Sequence, residues 1–198
     1  MKTIIVTGTP GTGKTTIAKK LAKRLNYYYL DVNKLVSENK LSKGYDKKRR
    51  TKIVDIKKLN KVLIDFIEKI KKINGSALLS RRTLNKTLTK QYIKKNINKK
   101  YIKKILNKKI KGIVIDSHLS HYLPKKYVDL AIVAKCDIKE LNKRLKKRKY
   151  LKNKIQENIQ AEIFDVCYNE SLERKHKVVT INTAKSFNIS SIVNKLGG

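Results

Sequence analysis

The stretch KTIIVTGTPGTGKTTIAKKLAKRL, residues 2–25, decides the fold of this chain. Residues 2–7 are β-branched and apolar, which predicts a buried strand. Residues 14–25 carry apolar side chains at helical spacing, which predicts a helix. Between them, residues 8–15 match G-x-x-x-x-G-K-[ST] at every fixed position. A strand, a glycine-rich loop and a helix in this order predict a phosphate-binding loop of the P-loop type.

Each fixed residue type of this loop has a physical role toward a phosphate. Glycines such as Gly11 and Gly13 let the chain curl, so that backbone N–H groups point at phosphate oxygens. The N-terminus of the following helix adds its dipole. Lys14 is expected to reach the β- and γ-phosphates of ATP, and Thr15 to offer its hydroxyl to Mg²⁺. A glycine-rich turn without a ligand is the competing interpretation, and the agreement of motif and context disfavours it.

Further along the chain, predicted strands alternate with predicted helices. This alternation predicts an α/β domain whose parallel sheet is covered by helices on both faces. Residues 38–55 lack a clear period and are interpreted as a loop-rich excursion. Strands are predicted at 27–32, 112–116, 127–134 and 177–181, and helices at 56–73, 137–148, 152–174 and 187–196.

The net charge is the unusual feature of the composition. Fifty Lys and Arg residues against fifteen Asp and Glu give +35 over 198 residues. Such a field favours a polyanionic partner, nucleic acid before an anionic membrane. A coding bias toward Lys, Asn and Ile is the competing explanation, but it does not account for the shortage of acids.

Several classes of protein are disfavoured by the sequence. The two cysteines, Cys136 and Cys167, are far apart, which argues against a disulfide framework or a zinc site and fits a reducing compartment. No apolar run approaches the ~20 residues of a membrane span. The chain begins directly with a strand-like segment and shows no signal peptide pattern. We therefore expect a cytoplasmic protein with no membrane association.

A basic segment precedes the strand at 112–116. Residues 69–111 contain sixteen Lys and Arg and no Asp or Glu. Apolar side chains within it recur near helical spacing, which predicts a basic amphipathic helix or helical hairpin. Such a segment is suited to contact the phosphates of a nucleic acid without reading its sequence. A helical hairpin with a merely solvated face is the alternative.

Two side chains at the end of the strand GIVID are candidates for the chemistry. Asp116 ends the strand where parallel strands meet ligands, and is the best candidate for the acid that holds Mg²⁺. Asp31 and Asp55 compete for that role, and a plain strand-end cap is the alternative. His118 is a candidate to orient a water or contact a phosphate, with a solvent-facing loop histidine as the alternative.

Arg144 and Arg148 are spaced i, i+4 on one face of a predicted helix. Paired arginines can clamp the charge of a transferring phosphoryl group. In so basic a chain, a solvated surface pair is favoured over that role.

Four segments together resemble a known family. VTGTPGTGKTT, GYD…IVD..KLN, IDSHLSHYLP and RLKKRKY…KIQENIQAEIFDV occur in that order. They resemble the adenylate kinase isoenzyme family involved in small-subunit ribosome maturation, which includes archaeal adenylate kinases of this type and the eukaryotic coilin-interacting nuclear ATPase. The resemblance covers most of the chain except about 75–110, which looks like an insertion.

The resemblance implies a P-loop nucleoside monophosphate kinase fold for a single domain over residues 1–198. Residues 33–56 would be the monophosphate-binding region and roughly 147–157 a short lid. Asp116 and His118 would be the Walker B aspartate and its companion histidine. Nucleotide contacts are implied for Gly11, Gly13, Lys14, Thr15, Thr16, Arg148 and Lys185.

The resemblance also implies activities and partners. Members act as broad-specificity nucleoside monophosphate kinases of the ATP + AMP type and as ATPases. They bind the uS11-type ribosomal protein transiently, and hydrolysis releases it during final maturation of 16S-type rRNA. We expect a monomer with AMP as a substrate and contacts to rRNA or a pre-ribosomal particle. A metabolic small-molecule kinase of the same fold with no ribosomal role is the alternative.

One region departs from the family pattern. Residues 44–58, GYDKKRRTKIVDIKK, are basic where relatives tend to be acidic. Gly44, Tyr45, Asp46 and Asp55 remain. The departure puts in question the substrate preference and partner contacts that those acids carry in relatives.

Overall fold

The structure, a computed structural model, describes residues 1–75 and 110–194. Within these ranges the chain alternates between strands and helices, as the sequence predicts. The strands are β1 (Lys2–Thr7), β2 (Tyr28–Asp31), β3 (Ser42–Asp46), β4 (Thr51–Val54), β5 (Gly112–Asp116), β6 (Leu130–Lys135) and β7 (Val178–Asn182). The helices are α1 (Lys14–Leu25), α2 (Val32–Glu38), α3 (Ile56–Gly75), α4 (Ile138–Lys147), α5 (Lys152–Ile163), α6 (Val166–Glu173) and α7 (Ile189–Asn194).

Five strands form the central sheet, in the order β2–β5–β1–β6–β7. Every neighbouring pair in it is parallel. The carboxyl ends of β1 and β5 are aligned, since Val6 pairs with Asp116. The glycine-rich loop after β1 and the acid that ends β5 therefore meet at one edge of the sheet, where parallel sheets bind ligands.

Both faces of the sheet are buried, which explains why its strands read as continuous apolar runs. Ile5 packs on one face in a cluster with Phe66 and other side chains of α3. Its neighbour Ile4 points to the opposite face and joins Ile17 of α1 and Ile192 of α7. The predicted fold class, a parallel sheet covered by helices on both faces, is confirmed.

Two sequence-based boundaries need correction. The predicted helix 152–174 is two helices, α5 and α6, because Asp165 adopts a left-handed conformation with φ of 52° between them. The predicted strand 127–134 begins later, at Leu130, since residues Lys125–Tyr127 form a 3₁₀ turn instead.

The loop-rich interpretation of residues 38–55 is also wrong in its main part. β3 and β4 pair antiparallel and form a hairpin apart from the central sheet. Most of its side chains are exposed, so no apolar alternation marks the strands in the sequence. The predicted helical insertion 75–110 lies almost wholly outside the described residues. No helix in the described ranges is both long and apolar enough to cross a membrane.

Candidate nucleotide-binding site

The glycine-rich loop connects β1 to α1 in a conformation that requires glycine. Gly8, Gly11 and Gly13 have φ values of 131°, 99° and 86°, which L side chains rarely adopt. A Cβ atom on Gly8 would lie 2.4 Å from the carbonyl oxygen of Ala134. The loop is thus pressed against the end of β6, and its backbone can curl around an anion at the start of α1.

A cavity of about 480 Å³ opens at this edge of the sheet. It is lined by residues of the glycine-rich loop, the end of β5, the hairpin β3–β4 and the start of α5. Eight of the residues predicted from the sequence line it together: Gly11, Gly13, Lys14, Thr15, Thr16, Asp116, His118 and Arg148. The sequence did not single out its other polar lining, which includes Arg49, Thr51, Lys154, Glu157 and Asn158.

Lys14 lines this cavity and bonds to the backbone of the glycine-rich loop. Its Nζ donates to the carbonyl oxygens of Gly8 and Thr9, both at 2.8 Å. Burial lowers the pKa of the Lys14 amine to about 8, although the negative charge of Asp116 acts in the opposite direction. The amine is therefore still mostly protonated at pH 7, as a ligand for phosphate oxygens needs to be.

Asp116 lines the cavity at the end of β5. It is buried, and the hydroxyl of Tyr29 donates to its Oδ2 at 2.9 Å. Burial raises the pKa of Tyr29, and the charge of Asp116 and this hydrogen bond raise it further. Tyr29 therefore remains a proton donor that orients the Asp116 carboxylate.

The two competing acids have other partners. Asp31 accepts hydrogen bonds from the backbone N–H groups of Asn33 and Lys34 and caps α2. Asp55 accepts from the N–H of Lys58 in the first turn of α3. Neither lines the cavity. Of the three candidates, Asp116 is the one that lines the cavity, and its role toward a metal stays a prediction.

The imidazole of His118 lines the same cavity two residues after Asp116. Burial, assisted by the positive charge of Lys14, lowers the pKa of His118 to about 4. His118 is therefore neutral at pH 7, with one nitrogen as donor and the other as acceptor. His118 is therefore not a loop histidine that faces only solvent.

A second histidine, His121, holds the loop after β5 in place through hydrogen bonds. The sequence analysis did not identify it. His121 Nδ1 lies 2.7 Å from the Thr7 hydroxyl oxygen, and His121 Nε2 lies 2.7 Å from Glu170 Oε2. The hydroxyl of Tyr122 donates to the same carboxylate at 3.0 Å. The network ties the end of β1 and the loop after β5 to α6. The only sequence feature that points to this network is the position of His121, three residues after His118.

Arg144 and Arg148 lie in different surroundings. Arg144 donates through Nε to Glu140 at 2.8 Å, and through Nη1 and Nη2 to the side chain and carbonyl of Thr183, both at 3.0 Å. Arg144 is half-buried, and these bonds hold its guanidinium against Glu140 and Thr183. Arg148 caps the end of α4 and lines the cavity.

Thr183 connects the glycine-rich loop to the far side of the sheet. Its hydroxyl donates to the carbonyl of Thr12 at 2.7 Å, and its backbone N–H donates to Lys135 at 2.8 Å. Thr183 and Phe187 line an adjoining cavity of about 470 Å³ that shares Gly11 and other loop residues with the first. No pattern in the sequence points to Thr183.

Lys185 is an exposed residue and lines neither of these two cavities. Its neighbours Thr183 and Phe187 line the smaller one. A nucleotide contact by Lys185 stays a prediction.

The hairpin and α5 approach each other across the main cavity. Arg49 in the hairpin turn donates to Glu157 Oε1 of α5 through Nε at 3.1 Å and through Nη2 at 3.0 Å. Both residues line the cavity, as do Thr51 of β4 and Lys154 of α5. The predicted monophosphate-binding and lid regions are therefore in contact with each other.

The donor set at the cavity fits Mg²⁺ better than a metal held by protein alone. Among the described residues, no cluster of three or more His, Cys, Asp or Glu side chains could hold a metal ion. Thr15 and Asp116 supply one hydroxyl and one carboxylate to the cavity. Mg²⁺ typically uses one or two carboxylates, with substrate phosphates and waters completing its shell.

Comparisons with known proteins identify the family. Residues 4–165 match a family model described as an AAA domain. A protein named "Putative adenylate kinase" from Methanocaldococcus jannaschii is 33% identical over 179 residues, which are 90% of this chain and 77% of that protein. The chain belongs to the adenylate kinase-like family. It is thus a P-loop protein of a nucleotide kinase family.

Eukaryotic proteins are similar over comparable lengths. "Adenylate kinase isoenzyme 6 homolog FAP7" from Saccharomyces cerevisiae is 28% identical over 196 residues, covering 98% of this chain and 79% of that protein. "Adenylate kinase isoenzyme 6 homolog" from Caenorhabditis elegans is 28% identical over 171 residues, covering 86% of this chain and 72% of that protein. The adenylate kinase-like part of the resemblance is confirmed.

Proposed function

We propose that this protein is a broad-specificity nucleoside monophosphate kinase that transfers the γ-phosphoryl group of ATP to AMP, giving two ADP, and that it also hydrolyses ATP. One observation carries the proposal. Lys14, Asp116, His118 and Arg148 line a single cavity at the mouth of the glycine-rich loop. Phosphoryl transfer needs positioning and charge stabilisation more than a nucleophilic side chain, and this cavity offers both.

The roles follow from charge and position. The loop N–H groups and the N-terminus of α1 bind the phosphates of ATP, and Gly11, Gly13 and Thr16 form part of this contact. Lys14 and Arg148 stabilise the negative charge on the transferred group. Thr15 and Asp116 would hold Mg²⁺, which would neutralise charge on the phosphate oxygens.

His118 serves the hydrolytic reaction. A neutral imidazole can accept a hydrogen bond from a water molecule through one nitrogen and orient that water for attack. The low pKa of His118, about 4, keeps it in that form across the physiological range. We therefore expect that the ionisation of His118 causes little change in the ATPase rate between pH 6 and 8.

The kinase proposal is tested by measuring ADP formation from ATP, Mg²⁺ and AMP. The protein should form ADP at a rate well above that of Lys14→Ala, which removes the amine and leaves the loop glycines in place. A rate equal to that of Lys14→Ala would refute the kinase activity. A panel of other acceptors, assayed in parallel, separates it from a metabolic small-molecule kinase of the same fold.

We further propose that the protein acts in the cytoplasm as a monomer in late maturation of the small ribosomal subunit and its 16S-type rRNA. It would bind the uS11-type ribosomal protein in an ATP-dependent way. The net charge of +35 supports this role, because it exceeds what a small metabolic enzyme needs to bind nucleotides. The IDSHLSHYLP segment, in which the family resemblance is most specific, supports it as well.

The maturation role is tested by a pull-down from native lysate with and without ATP, using the protein and Lys14→Ala as paired baits. Small-subunit components should be recovered in a manner that depends on ATP and is lost with Lys14→Ala. Equal recovery under all four conditions would indicate only nonspecific attraction to a basic protein. No recovery, with normal kinase activity, would favour the metabolic alternative.

A further inference from the structure

The hairpin β3–β4 is the least buried part of the described chain that has regular structure. Four of the five residues of β3 and two of the four of β4 are exposed. Tyr45 is 57% exposed and Ile53 is 50% exposed. A two-stranded hairpin with no buried face has little stability of its own. The exposed ring of Tyr45 is therefore available to stack on a base.

The charge of the hairpin is strongly asymmetric. Residues 42–54 carry six cations against a single carboxylate, Asp46. Two of the cations have acidic partners, because Lys43 lies 3.4 Å from Asp55 and Arg49 binds Glu157. Within the described ranges, no carboxylate forms an ion pair with the other four, which are Lys47, Lys48, Arg50 and Lys52.

The register of the hairpin separates two faces. Asp46 pairs with Thr51, and Tyr45 pairs with Lys52, so each pair lies on one face. Thr51 lines the nucleotide cavity, and both it and Asp46 are half-buried. Tyr45 and Lys52 are therefore on the opposite face, directed away from the cavity. This face is free even when the cavity holds its substrates.

We propose that the outer hairpin surface, defined as Tyr45 and Lys52 of the outer face together with the exposed turn residues Lys47, Lys48 and Arg50, binds a single-stranded segment of RNA. The four cations contact phosphates, and the ring of Tyr45 stacks on a base. A single strand fits better than a duplex, because paired bases cannot stack on a protein ring. The inference rests on the proposed role at a pre-ribosomal particle, for which it supplies a specific contact surface.

The test measures binding of a fluorescently labelled 12-nucleotide single-stranded RNA by anisotropy, over a range of salt concentrations and without nucleotide. The triple variant Lys47→Ala/Lys48→Ala/Arg50→Ala should bind at least tenfold more weakly. The slope of log K against log salt should become shallower by about 2, since each lost phosphate contact on a single strand removes about 0.7.

A matched control separates the surface from the net charge. Lys139→Ala/Lys143→Ala/Lys146→Ala removes three exposed cations from one face of α4, outside the main cavity. It should change affinity less than threefold. Equal losses in the two triple variants, or no loss in the hairpin variant, would overturn the proposal and leave the basic segment 69–111 or the general field as the cause.

The aromatic contact has its own readout. Tyr45→Ala should weaken RNA binding about tenfold with an unchanged salt slope, and Tyr45→Phe should restore most of the loss, because stacking does not depend on the hydroxyl. Unchanged affinity in Tyr45→Ala, or binding of polyglutamate as tight as RNA, would also overturn the proposal. ADP formation and the ATP-dependent pull-down are measured on the same variants, so failure of RNA binding at the hairpin is distinguishable from failure of the kinase and maturation proposals.

Discussion

The glycine-rich loop and the hairpin β3–β4 each contribute to the same cavity, but they are built in opposite ways. Gly8 touches the backbone of β6, and a Cβ on it would lie 2.4 Å from an oxygen atom. Gly44 in β3 has no atom within 4 Å of the place where its Cβ would be. The loop is held against the sheet, whereas the hairpin's ion pairs to Glu157 and Asp55 each involve a well-exposed cation, Arg49 and Lys43.

This difference separates two tasks. Charge stabilisation in phosphoryl transfer depends on groups that are already in position, so it belongs on the rigid edge of the sheet. Recognition of an acceptor or partner tolerates a more adjustable element, and the hairpin offers one. Chemistry should therefore respond strongly to changes at the loop and β5, and stability should respond weakly to changes in the hairpin.

The largest effect is expected on catalysis at Asp116. Asp116→Asn keeps the shape of the side chain and can still accept from Tyr29, but it removes the charge that we propose holds Mg²⁺. ADP formation should fall about 10²–10³-fold, while the melting temperature should not fall, because a buried carboxylate is removed. Glu173→Gln, an exposed carboxylate at the end of α6, is the matched control and should act like the parent protein. A loss under threefold in Asp116→Asn would contradict its assigned role.

The next effect concerns stability and compares the two glycines directly. Gly8→Ala forces a left-handed conformation and a backbone clash, so it should lower the free energy of unfolding by about 1–3 kcal/mol. Gly44→Ala meets open space and should change it by less than about 0.5 kcal/mol. Urea denaturation of both variants measures the difference. Equal costs would show that the hairpin is as tightly packed as the loop.

The pH dependence of nucleotide binding should report on Lys14. Its amine is charged in the free protein below the pKa of about 8, so ATP affinity should change little from pH 6.5 to 7.5. Above that pKa, binding must first restore the proton, and affinity should fall by up to about tenfold per pH unit. Calorimetric titration at pH 7 and pH 9 measures this. A Lys14→Arg variant, charged throughout, should show no such step.

The smallest effect is expected at the contact between the two regions. Arg49 and Glu157 are both well exposed, with side-chain fractions of 52% and 42%, so their ion pair is screened by water. A double-mutant cycle with Arg49→Ala and Glu157→Gln should give a coupling energy of about 0.2–1 kcal/mol. The coupling should decrease in 1 M salt. A coupling energy several times larger would mean that the hairpin is locked to α5.

Local sequence patterns predicted the part of the fold that is governed by burial. α1 and β5 have the predicted bounds because their apolar periodicity reflects packing on the sheet. The hairpin was missed because exposed strands leave no alternation to read. The break at Asp165 was missed because neither glycine nor proline marks it.

The candidate site was predictable to the same extent. The loop and Asp116 could be predicted because motif and strand end lie within short stretches of sequence. The contacts of Tyr29 with Asp116 and of Arg144 with Thr183 join residues 87 and 39 positions apart, which no local pattern reports. The roles of the site residues and the boundaries of the monophosphate-binding and lid regions stay predictions.

The bonds that Thr183 makes to Thr12 and Lys135 have a consequence for the energetics of nucleotide binding. Together with the Lys14 bonds to Gly8 and Thr9, they hold the anion cradle in shape before any ligand arrives. A preformed cradle loses little conformational entropy on association, so more of the contact energy remains as affinity. Tight binding of the triphosphate and slow release of product are therefore favoured by a threonine hydroxyl that need not touch either one.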